Sequence, residues 1–377
     1  MRVYLLLMLV ATGLTTLLTP LVRYLCIKWG IVPRLRARDV QTIPVPRLGG
    51  IALTLSFLLT MLIASRIPFM APLFATSVPW ALMGGAAAMS ILGVVDDLVD
   101  LDWLTKLSGQ ILIAGLMGLG GVQLVSLPLF GLTIGSSRLS LILTILVITA
   151  IINAVNFIDG LDGLASGIVG IGAGAFFIYS YVLTRIMGAP SYATTASLAV
   201  ITLMGVCAGF LWFNFNPSSI MMGGGAETLG LVLAGAGIVV TGQIDPSLLG
   251  QQQLLVGLLP ILLPISVILI PFGDLVVAAA RRMARGKSPF HADRSHFHDG
   301  LLERGHSHRG VVLILWAWTV VATVPAAALL VFDWVRVLIF SLPALIVVIG
   351  LTMWEFPKAE TKPAAGHEGD RDEQQSH

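Results

Sequence analysis

The 377-residue chain is 56% hydrophobic and only 11% charged, where a soluble globular domain carries roughly 25% charged residues. That composition excludes a soluble fold, and with a formal charge of +2 no nucleic-acid partner is expected. The two cysteines, Cys26 and Cys207, lie in or beside apolar segments and read as small buried hydrophobes, not as a disulfide or a metal site.

Apolar stretches such as Val3 to Leu18, Ile51 to Ile63, Leu139 to Ile152 and Val311 to Phe332 reach, with their flanks, the roughly 17–25 residues that cross a bilayer. In chain order, eleven helices are expected, centred near residues 14, 57, 87, 115, 147, 174, 203, 235, 263, 321 and 344. The fold class is therefore all-α, a polytopic membrane bundle of about eleven transmembrane helices. No small-residue cleavage site precedes Pro20 and Arg23, so the first helix reads as retained, not as a removed signal peptide. The odd-numbered loops carry Lys28, Arg34, Arg36, Arg38, Arg47, Lys106 and the basic run from Arg281 to Arg309; the even-numbered loops hold Arg66, Arg138, Arg185 and Arg336. The positive-inside rule then puts the N-terminus outside and the C-terminus in the cytoplasm. Residues 1–355 form one transmembrane domain, and residues 356–377, polar and aperiodic, form a disordered cytoplasmic tail. Gly170 with Gly174, and Gly205 with Gly209, stand at small-xxx-small spacing, which brings helices close within one chain or across a homodimer.

The polar residues gather on the odd loops. The third helix ends in Asp96-Asp97, followed by Asp100, Asp102 and Lys106. Two adjacent carboxylates at the negative end of a helix dipole repel each other and favour a bound cation, and Mg²⁺ is commonly held by one or two carboxylates plus substrate phosphates. Asp100 and Asp102 read better as a solvated turn. The fifth helix runs into Asn153-Ala154-Val155-Asn156-Phe157-Ile158-Asp159-Gly160-Leu161-Asp162-Gly163-Leu164-Ala165. Asn153 and Asn156 share a helix face, and the glycines permit a turn that brings Asp159 and Asp162 together. The ninth loop holds five of the seven histidines, His291, His296, His298, His306 and His308, within 18 residues, beside Arg281 to Lys287 and Arg309. Imidazoles among basic residues suit diphosphate oxygens better than zinc, and Asp274 adds one acid at an apolar helix end. Carboxylates for a metal, cations for phosphate and asparagines for a sugar or base suggest phosphoryl transfer at a membrane boundary.

These motifs resemble the polyprenyl-phosphate N-acetylhexosamine-1-phosphate transferases, glycosyltransferase family 4, which move a sugar-1-phosphate from a UDP-sugar to a C55 lipid phosphate and release UMP. The resemblance rests on Pro44-Val45-Pro46-Arg47-Leu48-Gly49-Gly50, on Asp96-Asp97 with Lys106, on Asn153 to Ala165, on Gly209-Phe210-Leu211-Trp212-Phe213-Asn214, and on His296 to Arg309. Leu301-Leu302 followed by Gly305-His306-Ser307-His308-Arg309 looks like the branch that uses UDP-N-acetylglucosamine. The resemblance implies a multi-pass enzyme of the bacterial cytoplasmic (inner) membrane, its site facing the cytoplasm, that loads undecaprenyl or decaprenyl phosphate with Mg²⁺ or Mn²⁺ and initiates a cell-envelope polysaccharide. It implies Asp96, Asp97, Asp159, Asp162 and His296 as catalytic residues, with Asp96, Asp97 and Asp159 on the metal. It implies Arg47, Lys106, Asn153, Asn156, Asn214, Asp274, His298 and Arg309 as substrate contacts.

The chain departs from the family twice. Where the family reads Phe-Met-Gly-Asp-x-Gly-Ser, this chain reads Met221-Met222-Gly223-Gly224-Gly225-Ala226-Glu227, so Gly224 replaces an acid thought to hold the metal. Glu227 is the candidate substitute ligand; if the lost ligand matters, Gly224→Asp is expected to raise activity or metal affinity, and if Glu227 has taken over, Glu227→Ala is expected to abolish activity. The family's His-x-His-His-Arg becomes His296-Phe297-His298-Asp299-Gly300. A catalytically weakened paralogue that binds lipid phosphate or nucleotide-sugar as a scaffold is the competing expectation. A transporter fits less well, because the ionisable residues lie at one face and not between inverted repeats.

Overall fold

A computed structural model describes residues 1–31, 45–124, 136–186, 194–241, 283 and 297–354, with the backbone alone at 186 and 297–299. In chain order the helices are α1 (Arg2–Lys28), α2 (Gly49–Ser65), α3 (Ser77–Val99), α4 (Trp103–Leu119), α5 (Ser137–Ile158) and α6 (Leu164–Ile186). They continue with α7 (Thr195–Asn214), α8 (Gly225–Thr241), the short α9 (Phe297–Glu303), α10 (His308–Ala328) and α11 (Trp334–Met353). A 3₁₀ turn at Ala71–Ala75 joins α2 to α3. Ten of the expected helices fall on described residues and each is found; the one expected near residue 263 lies outside them, as does the tail from residue 355.

Among the described residues seven helices, α1, α3, α5, α6, α7, α10 and α11, are long and apolar enough to cross a membrane. The protein is a multi-pass membrane protein. Helices α2, α4 and α8 have 17 residues each, about 26 Å at 1.5 Å per residue, just short of a hydrocarbon core of about 30 Å. Apolar side chains that would be anomalous on a soluble surface, such as Leu17, Ile91, Leu112 and Phe340, line the outside of the bundle, where lipid is the solvent.

Helix α8 is the axis of the fold. All its residues but Val239 are buried, and it packs against α2, α3, α5, α6 and α7. Helices that are apolar all round occupy such central positions. Glycines let its neighbours come near: a Cβ on Gly230 would lie 3.0 Å from Ile152 Cα of α5, and one on Gly235 would lie 2.5 Å from Leu82 Cδ2 of α3.

The small-residue pairs are used within the chain. A Cβ on Gly205 or Gly209 of α7 would stand 2.4 Å from Met8 O or 2.5 Å from Thr12 O of α1, and Thr12 Oγ1 donates to Gly205 O at 3.0 Å. Gly170 and Gly174 of α6 face Cys207 and Met204 of α7. The spacing therefore serves internal packing, and none of these four glycines faces outward for a second copy. Among the described residues helix α11 packs mainly against α10, with Arg304 donating to Thr352 O at 3.0 Å, and leaves most of its surface outside.

Candidate functional site

The chain turns sharply between α3 and α4. Asp100 ends α3 in the left-handed region at φ 60°, and Asp102 caps α4 by accepting from Leu104 N and Thr105 N, both at 3.0 Å. Those bonds and the Thr105 hydroxyl hold the Asp102 carboxyl below the usual range. Both residues serve the turn, as expected. The turn fixes Asp96 above Lys106: Asp96 Oδ1 accepts from Leu101 N at 3.2 Å, and Asp96 Oδ2 pairs with Lys106 Nζ at 2.8 Å. Lys106 also forms an ion pair with Glu227 of α8, whose side chain is fully buried. Gln110, one turn along α4 and equally buried, accepts from Asn153 Nδ2 of α5 at 2.6 Å.

Beside this pair, residues 221–225 lie against the entry to α2. Met221 N donates to Pro46 O at 2.8 Å, and Gly49 N and Gly50 N donate to Met221 O and Met222 O at 3.0 and 2.8 Å. This clasp carries Arg47 to the site, within Coulombic reach of Asp97. Gly223 has φ 56°, and a Cβ there would lie 2.0 Å from Arg47 O. Gly224 N donates to Asp97 Oδ2 at 2.9 Å, while its Cα faces Gly93 of α3. A Cβ on Gly224 would stand 2.3 Å from Gly93 Cα and 2.7 Å from Gly93 C. No side chain fits there, so the expectation that Gly224→Asp would restore a metal ligand is corrected. The new carboxylate would have to push α3 away from α8.

The α5–α6 turn brings the second acidic pair. Asp162 accepts from Ser218 Oγ at 2.9 Å and from Ser218 N and Asn216 Nδ2, each at 3.2 Å. Arg309, at the start of α10, donates from Nε to Asn216 O at 2.8 Å. Asp162 thus fastens the turn to the loop after α7 and, through it, to α10. Asp159 is half-buried, and desolvation pushes its carboxyl up to about 8, with the charges of Asp97 and Asp162 adding to the effect. The two acidic pairs therefore lie near enough to sense each other.

Asn214, expected to touch substrate, is buried: Oδ1 accepts from Gly163 N at 3.1 Å and Ser166 Oγ at 3.2 Å, and Nδ2 donates to Ile220 O at 3.1 Å. It shapes the loops and does not face them. Asn153 is likewise engaged inside, with Gln110 and with Thr149 O at 2.8 Å. Asn156 stands half-buried one turn on. Asp274 and His296 lie outside the described residues, as do the side chains of His298 and Asp299. Sequence reasoning missed Gln110, Asn216, Ser218 and Gly93. Only the loop's position, next to an asparagine motif, hinted at any of them.

Among the described residues no three acidic, histidine or cysteine side chains form a ligand set for a metal ion. Mg²⁺ needs only one or two carboxylates and fills its octahedron with waters and substrate phosphates, so the absence of a three-acid set does not disfavour it at these acidic pairs. Acids on neighbouring loops that raise one another's cost of ionisation are a site such a cation relieves.

The sequence profile of glycosyl transferase family 4 matches residues 79–241, the segment from α3 through α8. Over 332 residues the chain is 36% identical to the decaprenyl-phosphate N-acetylglucosaminephosphotransferase of Mycobacterium tuberculosis (strain CDC 1551 / Oshkosh), covering 86% of this chain and 82% of that protein. The chain belongs to glycosyl transferase family 4. A second family 4 relative, the probable undecaprenyl-phosphate N-acetylglucosaminyl 1-phosphate transferase of Bacillus subtilis (strain 168), is 29% identical, covering 80% of this chain and 77% of its own. The phospho-N-acetylmuramoyl-pentapeptide-transferase of Corynebacterium jeikeium (strain K411) is 28% identical, covering 77% of this chain and 86% of its own. Membership in family 4 explains why the acids, Lys106 and the α5–α6 turn meet around α8: the matched segment contains all of them.

Proposed function

We propose that this protein transfers N-acetylglucosamine-1-phosphate from UDP-N-acetylglucosamine to undecaprenyl or decaprenyl phosphate, releasing UMP and beginning a cell-envelope polysaccharide. The observation that carries the reading is its 36% identity to a decaprenyl-phosphate N-acetylglucosaminephosphotransferase over 86% of this chain and 82% of that protein's length. An oxygen of the lipid phosphate bonds to the β-phosphorus of the donor. The bond from that phosphorus to the bridging oxygen breaks, and UMP leaves with the electron pair. Negative charge then builds on the equatorial and leaving oxygens, where positioned cations stabilise it.

In this reading Arg47, Lys106 and Arg309 hold the donor's phosphates, with His296, His298 and Asp274 as further contacts, and Asn156 faces the sugar or base. Asp97 and Asp159, with Asp96 beside them, hold Mg²⁺ or, in its place, Mn²⁺. When bound, the cation neutralises charge on the diphosphate. Asp162 keeps the acidic turn in register with the loop after α7 and, through Asn216, with Arg309 at the start of α10. The Lys and Arg distribution supports a cytoplasmic site and an external N-terminus, and the bacterial relatives support a place in the bacterial cytoplasmic (inner) membrane.

The test is an exchange assay with purified protein, Mg²⁺, polyprenyl phosphate and radiolabelled UDP-N-acetylglucosamine. Label entering the lipid phase is the expected result; none, from protein that is folded and binds UDP, would end the enzyme reading. One observation favours a second reading, a binding scaffold: Gly224 leaves no room for the acid that the family carries there. A scaffold would bind UDP or lipid phosphate and transfer nothing.

A further inference from the structure

Glu227 sits in the first turn of α8, and its side chain has 0% exposure. A carboxylate so placed is costly unless a cation meets it. That cation is Lys106, which is one-fifth exposed and also pairs with Asp96 Oδ2 at 2.8 Å. Gln110 lies against Glu227 and is itself fixed by Asn153 Nδ2 at 2.6 Å. A lysine held by one carboxylate keeps a flexible four-carbon stem. A second carboxylate, rooted in the central helix and packed on every side, fixes where the ammonium stands.

We propose that Glu227 is a positioning residue: it grips Lys106 from inside the bundle and aims its ammonium at the site, and it does not ligate the metal. The proposal rests on the transferase reading, in which Lys106 meets the donor's diphosphate.

The test uses the full chain in lipid nanodiscs as wild type, Glu227→Gln, Lys106→Met and the double variant. UDP affinity is read by calorimetry, Mn²⁺ affinity by electron paramagnetic resonance, and transfer by steady-state kinetics. Glu227→Gln should weaken UDP binding and raise the KM for UDP-N-acetylglucosamine about tenfold, with kcat within about threefold of wild type. Lys106→Met should lose more. The double variant should match Lys106→Met within about twofold, because Glu227 then has nothing left to position. A purely structural role would instead add its own loss to that of Lys106→Met. Mn²⁺ affinity should stay within about threefold in Glu227→Gln, whereas a loss beyond about tenfold would make Glu227 a metal ligand and overturn the proposal. Multiplied losses in the double variant, or unchanged UDP affinity in Glu227→Gln, would overturn it too. If Lys106→Met, which strands the buried Glu227 carboxylate, does not fold, the comparison of Glu227→Gln with wild type still decides, through its loss of UDP affinity at unchanged Mn²⁺ affinity. Wild type that binds UDP and transfers nothing defeats the transferase reading while the UDP affinities still judge Glu227. Wild type that binds no UDP overturns both.

Discussion

Gly224 illustrates how a single position can be misjudged when only its chemistry is considered. As a missing acid, it invites replacement by Asp. As a contact, it is half of a backbone crossing in which Gly93 supplies the other half, and a Cβ would overlap Gly93 Cα at 2.3 Å. Overpacking of this kind costs about 1–3 kcal/mol even for one methyl group, so Gly224→Ala should lower stability by about that amount, and Gly224→Asp by more. Thermal unfolding in detergent measures both. A stability equal to wild type, or a gain in Mn²⁺ affinity for Gly224→Asp, would show that α3 and α8 can part without cost. The sequence disclosed the departure at Gly224 but not its cause, because the partner Gly93 lies in a helix whose packing no local pattern reveals. Glu227 was legible for a similar reason only in part. Its charge drew attention, while its burial beneath Lys106 depends on how the helices around α8 enclose it and on α4 bringing Lys106 to its carboxylate. The family resemblance offers Asn214 as a substrate contact, yet its carboxamide is consumed by Gly163, Ser166 and Ile220.

Among elements, the apolar runs located ten of the eleven helices that fall on described residues and missed the short α9, since hydrophobic length is nearly the only requirement for crossing a bilayer and α9 does not cross one. Which helices touch was not legible. The spacing of Gly205 and Gly209 promised close approach without naming α1 as the partner. Gly205→Leu should drive its side chain into the Met8 carbonyl and separate α1 from α7, at a cost of about 1–3 kcal/mol measured as a lower unfolding midpoint. Gly13→Leu on α1, where a Cβ would meet nothing within 4 Å, is the matched control and should leave the midpoint unchanged. The α5–α6 turn poses a different question, because Asp162 bonds to the loop after α7 and not to open space. Asp162→Ala removes a charge-assisted clasp, with a stability loss of about 1–3 kcal/mol expected alongside a fall in transfer rate. If activity vanished with stability intact, Asp162 would be a reacting group and not a clasp.

At the scale of the whole molecule, contacts between distant segments bring the polar ends together: Gly50 with Met222, Asp97 with Gly224, Asp162 with Ser218, and Arg309 with Asn216. Each joins loops that an alternating bundle places at the same end, so the site is defined by topology before any single residue is considered. The proposal that this end meets the cytoplasm rests on charge alone, on the excess of Lys and Arg on the odd loops. The native cysteines, Cys26 and Cys207, are buried and give little background to a thiol probe. Ser136, exposed just before α5, lies at the end opposite the site and should label as Ser136→Cys with a membrane-impermeant maleimide in intact cells. Thr361→Cys, in the C-terminal tail, should label only after permeabilisation. The reverse pattern would turn the acids, Lys106 and Arg309 away from the compartment where nucleotide-sugars are made, and the proposed donor could not reach them.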